Sequence, residues 1–156
     1  FYWELKGQVL FEEGRAAEAV DAHARSVELL PDAPLLRINL GHALIETNDA
    51  ANLDRAIDEL KRAVAREDDN TLAWRLLSQA YASQGKEGAA RLASAELYYA
   101  IGDTRQATQF ALRARAMLDR SSNEWRRATD LVLSTGATQD DIADADRRFD
   151  RSQSPF

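Results

Sequence analysis

The sequence predicts an all-α protein in which antiparallel helix pairs stack side by side into an α-solenoid of about eight helices. Three observations lead to this fold class. Apolar residues recur at helical spacing, as in Leu5, Val9 and Leu10. A pattern of tryptophan and glycine residues repeats along the chain. Strand signals are nearly absent, because β-branched runs and hairpin dipeptides are scarce.

The repeat has a period of 34 residues and carries one insertion. Gly7 and Gly41 are 34 residues apart, whereas Trp3 and Trp74 are 71 apart, which corresponds to one unit of 34 and one of 37. The three additional residues fall in the segment "ETNDAANLDRA", for which the sequence predicts an extended loop between two helices. Repeats of this length are typical of helical-hairpin arrays.

Glycines in the segments "EEGRA", "SQGKE" and "AIGDT" mark helix ends, and Pro31 stands between two units. Gly85 and Gly102 are only 17 residues apart, so the helix between them is predicted to be the second helix of one pair and the first of the next. The predicted helices cover 2–13, 16–30, 34–47, 53–67, 71–84, 87–101, 104–119 and 122–134, in pairs that span 2–30, 34–67, 71–101 and 104–134.

The domain organisation follows from these helices. One array is predicted over residues 1–135, and an acidic C-terminal tail over 136–156. Because the tail has few large apolar residues, we expect it to be weakly ordered, with one turn that carries Ile142 and Phe149. The helical pattern is already established at Trp3 with no initiator methionine, so we expect this chain to be a piece of a longer protein.

Composition excludes several function classes. The chain of 156 residues has a net charge of −6 and no basic block, which argues against a nucleic-acid partner. Its apolar runs are far shorter than the roughly 20 residues that cross a bilayer, so no membrane span is expected. The absence of cysteine removes disulfides, zinc–thiolate sites and thiol nucleophiles.

Catalytic and metal-binding patterns are also missing from the sequence. The two histidines, His23 and His42, are 19 residues apart and cannot form the HExxH zinc motif. His42 and Glu46 are one helical turn apart, but two ligands make a poor metal site. We expect His23 to pack between helices. The sequence therefore predicts no catalytic residue, no metal and no cofactor in this chain, which is not expected to be an enzyme by itself.

A set of small, aromatic and turn residues resembles the signature of the tetratricopeptide repeat (TPR). The set comprises Gly7, Gly41 and Ser78, then Tyr81, then Ala19, Ala56 and Ala90, and finally Pro31. Small residues inside helices allow close crossing, which offsets the roughly 1 kcal/mol that glycine costs relative to alanine. The resemblance implies a right-handed solenoid with a concave, polypeptide-binding groove. Carried onto this sequence, the groove positions chosen are Gln8, Phe11, Ile38, His42, Ile45, Arg75, Gln79, Glu96 and Tyr99.

A narrower resemblance concerns the segments "YWELKGQVLFEEGRAAEAV", "PLLRINLGHALIETND" and "LAWRLLSQAYASQGKEGAARLASAELYYAIGDTRQA". In series they are similar to the C-terminal TPR region of bacterial zinc metallopeptidases of family 48, of the β-barrel-assembly-enhancing type. This resemblance implies a periplasmic zinc metalloendopeptidase as the parent, with zinc held in a separate protease domain. The TPR region would dock substrate, outer-membrane assembly partners or its own protease domain. The alternative is a stand-alone TPR scaffold that self-associates, without a link to proteolysis.

Overall fold

The computed structural model describes residues 1–153, which form nine α-helices and contain no strand. Their bounds are α1 (Tyr2–Glu12), α2 (Ala16–Leu29), α3 (Pro34–Glu46), α4 (Ala50–Val64), α5 (Thr71–Ser83), α6 (Glu87–Ala100), α7 (Thr104–Met117), α8 (Asn123–Ser134) and α9 (Gln139–Gln153). The predicted all-α solenoid class is confirmed, and each of the eight predicted helices is present, with bounds that differ by at most three residues.

The insertion in the second unit does not form the extended loop that the sequence analysis predicts. Instead, α4 begins at Ala50, three residues before the predicted start. Asp49 caps the helix by accepting a hydrogen bond from the backbone N–H of Ala51 at 2.9 Å. The amide of Asn52 donates to the hydroxyl of Thr47 at 2.9 Å, which ties the new first turn to the end of α3. Helix α4 therefore begins and ends earlier than predicted, and its 15 residues are one more than the 14 of α2.

Within the predicted C-terminal tail, the structure has the helix α9, where the sequence analysis predicts a single turn. Its start is a reciprocal cap, in which Thr138 N–H donates to the carboxylate of Asp141 at 2.8 Å and Asp141 N–H donates to the Thr138 hydroxyl at 3.2 Å. Ile142 is buried against Leu131 and Val132 of α8. The remaining part of the predicted tail, residues 154–156, lies outside the described residues.

The helices stack as consecutive antiparallel pairs. Within units α1 packs on α2, α3 on α4 and α5 on α6, and the units are joined where α2 meets α3 and α4 meets α5. The first helices of adjacent units also touch, α1 with α3 and α3 with α5. Helix α6 packs extensively on both α5 and α7 and also contacts α8, which is the arrangement expected of a shared helix.

Two glycines allow the close helix crossings that the sequence predicts. A Cβ atom on Gly7 would lie 2.6 Å from the imidazole of His23, and one on Gly41 would lie 2.7 Å from Cγ of Leu60. Real Cβ contacts are essentially never this short. Both glycines are buried, and each faces the second helix of its own pair. The small residues of the repeat therefore set the spacing within each helix pair.

The burial of His23 leads to a prediction about pH. Its side chain is 1% exposed, and Nδ1 has no hydrogen-bond partner among the described residues. Burial lowers the pKa of His23 below its usual value of about 6.5. The unfolded chain therefore binds this proton more readily than the folded one, so its stability contribution is complete above about pH 6.5 and is lost as the pH falls below that value.

We expect the unfolding temperature to fall more steeply with acidification in the natural protein than in His23→Leu. Leucine is the matched choice because Leu60 occupies the same place opposite Gly41 that His23 occupies opposite Gly7. Thermal unfolding of both proteins across neutral to mildly acidic pH measures this difference. Parallel curves would contradict the assignment of acid sensitivity to His23. Because burial also lowers the pKa of His42, both proteins keep some acid sensitivity.

Candidate protein-binding surfaces

A concavity lies between α4 and α8. It has a volume of about 760 Å³ and adjoins a second cavity of about 450 Å³, with which it shares Lys61, Tyr81, Ala89 and Glu124. We call the two together the α4–α8 cleft. Its apolar lining comes from α4, α5, α6 and the end of α7, and comprises Ile57, Val64, Trp74, Leu77, Leu92, Met117 and Leu118.

Two aromatic residues on one face of α5 form the floor of the cleft. Trp74 and Tyr81 are two helical turns apart, and the indole N–H of Trp74 donates to the backbone carbonyl of Asp68 at 2.7 Å. Burial raises the pKa of Tyr81, and the negative charges of Glu124 and Asp58 raise it further. The phenol therefore stays protonated at neutral pH, so that an aromatic face and a hydroxyl donor are both present where the two cavities meet.

A buried ion pair fixes one edge of the cleft. Arg127 of α8 donates two hydrogen bonds to the Glu96 carboxylate of α6, at 2.5 and 2.8 Å. The carboxylate is 6% exposed and the guanidinium side chain 52% exposed. The hydrogen bond to Glu96 is the main cause that raises the pKa of Arg127. The pair thus links α8 to the shared helix α6 at the edge of the cleft.

Carboxylates outnumber basic groups along the rim of the cleft. Among the described residues, neither Asp58 nor Glu124 forms an ion pair within 4.0 Å, although both act electrostatically on Tyr81. Asp54 accepts a hydrogen bond from the amide of Gln84 at 2.7 Å. The rim can therefore accept a cation beside the Tyr81 ring, where a cation–π contact would add to the charge attraction.

Part of the predicted groove is assembled on the first helices. The rings of Phe11 on α1 and His42 on α3 lie 4.6 Å apart between centroids. Burial lowers the pKa of His42, while the charge of Glu46 raises it and that of Arg75 on α5 lowers it. The first helices of three adjacent units thus place Phe11, His42 and Arg75 on one surface. We call this surface the first-helix face.

The other predicted groove residues divide into three groups. Gln8, Gln79 and Tyr99 are exposed. Ile38 and Ile45 are 1% and 5% exposed, so their prediction as ligand contacts is corrected. Helix α3 packs on α1, α2, α4 and α5, and little of its surface is left for a ligand. Glu96 lines the α4–α8 cleft instead, where Arg127 occupies its carboxylate.

Sequence reasoning missed the cleft residues Lys61, Tyr81 and Glu124. Tyr81 is part of the TPR signature and was not among the predicted groove residues, and Lys61 and Glu124 look like ordinary surface charges in the repeat pattern. The signal that could have revealed the cleft is the 17-residue spacing of Gly85 and Gly102. This spacing indicates that α6 is both the second helix of one pair and the first helix of the next. The regular alternation of first and second helices is interrupted there, and α6 lines the α4–α8 cleft.

Comparison with known proteins agrees with this architecture. Residues 10–80, somewhat less than half of the chain, match a sequence model of the tetratricopeptide repeat family, so that segment is similar to TPR units. Repeats of this class are modules for protein–protein interaction. Among curated proteins, none matches the chain. In the part of the chain that the structure describes, no helix has the length and apolar character to cross a membrane, and no group of three or more His, Asp or Glu side chains could hold a metal ion.

Proposed function

We propose that this chain binds a segment of another polypeptide in the α4–α8 cleft. The observation that carries the proposal is the combination of size and lining. A volume of about 760 Å³ lies within the roughly 300–1,000 Å³ typical of binding pockets. Apolar walls, an aromatic floor and a few charged groups at the rim are the lining that such pockets use for affinity and orientation. The repeats supply a rigid frame that needs little reorganisation on binding.

The charge of the rim selects the kind of segment. Asp58 of α4 and Glu124 of α8 both line the cleft together with Tyr81. A lysine or arginine side chain of the ligand fits between them, with its aliphatic stem along the apolar wall. Apolar neighbours of that cation would fill the part of the cleft beside Trp74 and Leu92. The preferred ligand is therefore a short segment with one basic residue among apolar ones.

Selection of displayed random peptides on the immobilised chain tests this proposal. We expect enriched peptides to contain lysine or arginine flanked by apolar residues. Glu124→Lys should weaken their binding about tenfold, because it replaces an attraction of roughly 1.4 kcal/mol or more with a repulsion. The matched control is Asp21→Lys, which makes the same type of charge change at an exposed site on α2 that does not line the cleft. Equal binding to both variants would refute the cleft assignment.

A second pair of variants separates the cleft from the first-helix face. Arg75→Ala and His42→Ala change the polar residues predicted from the TPR resemblance and leave the cleft lining intact. Loss of binding in these variants, together with unchanged binding in Glu124→Lys, would place the ligand on the first-helix face. Failure to enrich any peptide would count against polypeptide recognition itself.

The parent of this module is, in the same proposal, a periplasmic zinc metalloendopeptidase. The support is the sequence resemblance to the C-terminal TPR region of family 48 metallopeptidases, which extends over nearly all of the helical part. This chain contributes binding, and the zinc and the catalytic residues belong to a separate protease domain. The cleft or the first-helix face would then hold a substrate, an outer-membrane assembly partner or the protease domain itself.

The coding sequence upstream of the codon for Phe1 tests the parentage independently of any binding experiment. We expect an open reading frame that encodes a signal peptide followed by a helix with the HExxH motif. A frame that encodes a different catalytic domain, or a stop codon directly upstream, would refute the protease parent. Peptide selection would still decide whether the module binds polypeptide.

A further inference from the structure

The α4–α8 cleft runs between two helices that pack on the same neighbour but not on each other. Helices α4 and α6 both pack on α5, and among the described residues they form no extended contact of their own. The first helices of the same two units behave differently, because α3 touches α5. The second helices thus stand apart and leave part of α5 uncovered. The half-buried rings of Trp74 and Tyr81 form the floor of this gap.

Each helix that borders the cleft presents a single stripe of side chains to it. On α4 the stripe includes, at positions i, i+4, i+7 and i+11, Ile57, Lys61, Val64 and Asp68. On α6 it includes, at positions i, i+3 and i+7, Ala89, Leu92 and Glu96. Residues at these spacings lie on one side of a helix. The lining of α4 extends from Asp54 to Asp68, a rise of roughly 21 Å, so the cleft follows about four turns of this helix.

The walls of the cleft offer side chains rather than free backbone groups. Through the middle turns of α4, α5 and α6, the backbone N–H and C=O groups are bonded within their own helices. An extended ligand would therefore find no strand edge with which to pair. Its backbone amides would enter an apolar cleft without partners, which costs desolvation free energy. A helical ligand satisfies its own backbone hydrogen bonds, so these walls favour a helix.

We infer, on the basis of the proposed function, that the ligand of the α4–α8 cleft is an amphipathic helix that lies along α5 between α4 and α6. The basic residue of this helix lies beside Tyr81 and Glu124, and its main apolar residue lies beside Trp74. Trp74 and Tyr81 are seven residues apart, a rise of roughly 10.5 Å along α5. The apolar and basic residues of a helical ligand are therefore also seven residues apart. An extended ligand would have them about three apart, because a strand rises about 3.3 Å per residue.

Titration calorimetry of the full chain with synthetic peptides tests this geometry. The peptides have about 18 residues, because shorter isolated helices are marginal in water, and are rich in alanine and glutamine. Each carries two leucines one turn apart and a single lysine, which follows the first leucine by seven, five or three residues; the reversed sequences test the other direction. We expect the spacing of seven to bind at least about tenfold more tightly than the spacing of five, which turns lysine to another side of the helix. Tightest binding at the spacing of three would indicate an extended ligand and overturn the inference.

A proline substitution provides a second readout of the bound conformation. In the peptide with the spacing of seven, proline midway between the first leucine and the lysine should weaken binding about tenfold or more, because it breaks the helix. The matched control has proline in the first turn, where a helix tolerates it. Equal affinity of the two proline peptides would contradict a helical ligand.

The variants Glu124→Lys and Asp21→Lys establish where the peptide binds. We expect only Glu124→Lys to weaken binding of the peptide with the spacing of seven, because Glu124 lines the cleft and Asp21 does not. Tight binding that Glu124→Lys leaves unchanged would place the helix elsewhere and overturn the inference. Failure of every peptide to bind would refute the proposed function as well. Preference for another spacing, or tolerance of the central proline, would refute only the helical ligand.

Discussion

Gly41→Val is expected to destabilise the folded protein by about 3 kcal/mol, near the upper end of the usual cost of overpacking. The first carbon of the new side chain would already lie 2.7 Å from Cγ of Leu60, and Leu60 is completely buried in the main core. Leu60 cannot rotate away without displacing its own neighbours. The gain in helix propensity over glycine is only a few tenths of a kcal/mol for a β-branched residue and does not compensate. Urea unfolding measures the loss.

Two comparisons isolate the close contact from other effects of valine. Ala17→Val makes a β-branched substitution at an exposed position of α2, and should change stability by about 0.5 kcal/mol. Leu60→Ala alone should cost about 2–5 kcal/mol. In the double variant, valine fills space that Leu60 has vacated, so the combined loss should fall short of the sum by at least about 1 kcal/mol. Additive losses would contradict the packing argument.

Much of the fold could be predicted because the repeat carries its own geometry. Gly7 and Gly41 indicate where the two helices of a pair cross closely, and glycines at helix ends indicate where the helices stop. The helix shared by two pairs was predictable from the spacing of Gly85 and Gly102 alone. These features are local, or recur at a fixed interval, and they can be read without knowing which surfaces meet.

The surfaces themselves were harder to predict, because they depend on how far neighbouring helices cover one another. Ile38 and Ile45 occupy positions that line the groove in the TPR resemblance, yet α3 is enclosed by four helices and buries them. Helix α9 was missed because few of its side chains are large and apolar, and its anchors lie far away in sequence. Arg115 of α7 reaches Asp146 of α9 at 2.9 Å, a contact that no local pattern indicates.

Glu96 shows how one residue can be predicted at a binding surface and serve another purpose. Its carboxylate is buried and doubly hydrogen-bonded to Arg127, so it is not free to meet a ligand. Arg127→Met is expected to destabilise the protein by about 2 kcal/mol. Loss of one partner of a buried pair costs about 3–5 kcal/mol, and this figure is reduced here because half of the Arg127 side chain is in water.

The double variant Glu96→Gln/Arg127→Met separates the pair from the packing of Arg127. With no charge left in the buried position, most of the lost stability should return, and urea unfolding at neutral pH measures the recovery. Glu96→Gln alone should cost less than Arg127→Met, because the arginine it leaves unpaired is accessible to water. A double variant as unstable as Arg127→Met would contradict a role for the charge.

Arg127→Met lowers stability, but it is expected to strengthen ligand binding if the α4–α8 cleft recognises a basic segment. Without Arg127, the Glu96 carboxylate lines the cleft with no cation beside it, and a lysine or arginine of the ligand can take the vacated place. Arg127→Met should therefore lower stability and strengthen the binding of basic peptides, whereas Glu124→Lys weakens their binding. If the Glu96–Arg127 pair serves only to hold α8 in place, Arg127→Met would instead lower both stability and peptide affinity, because a loosened α8 would no longer form its side of the cleft.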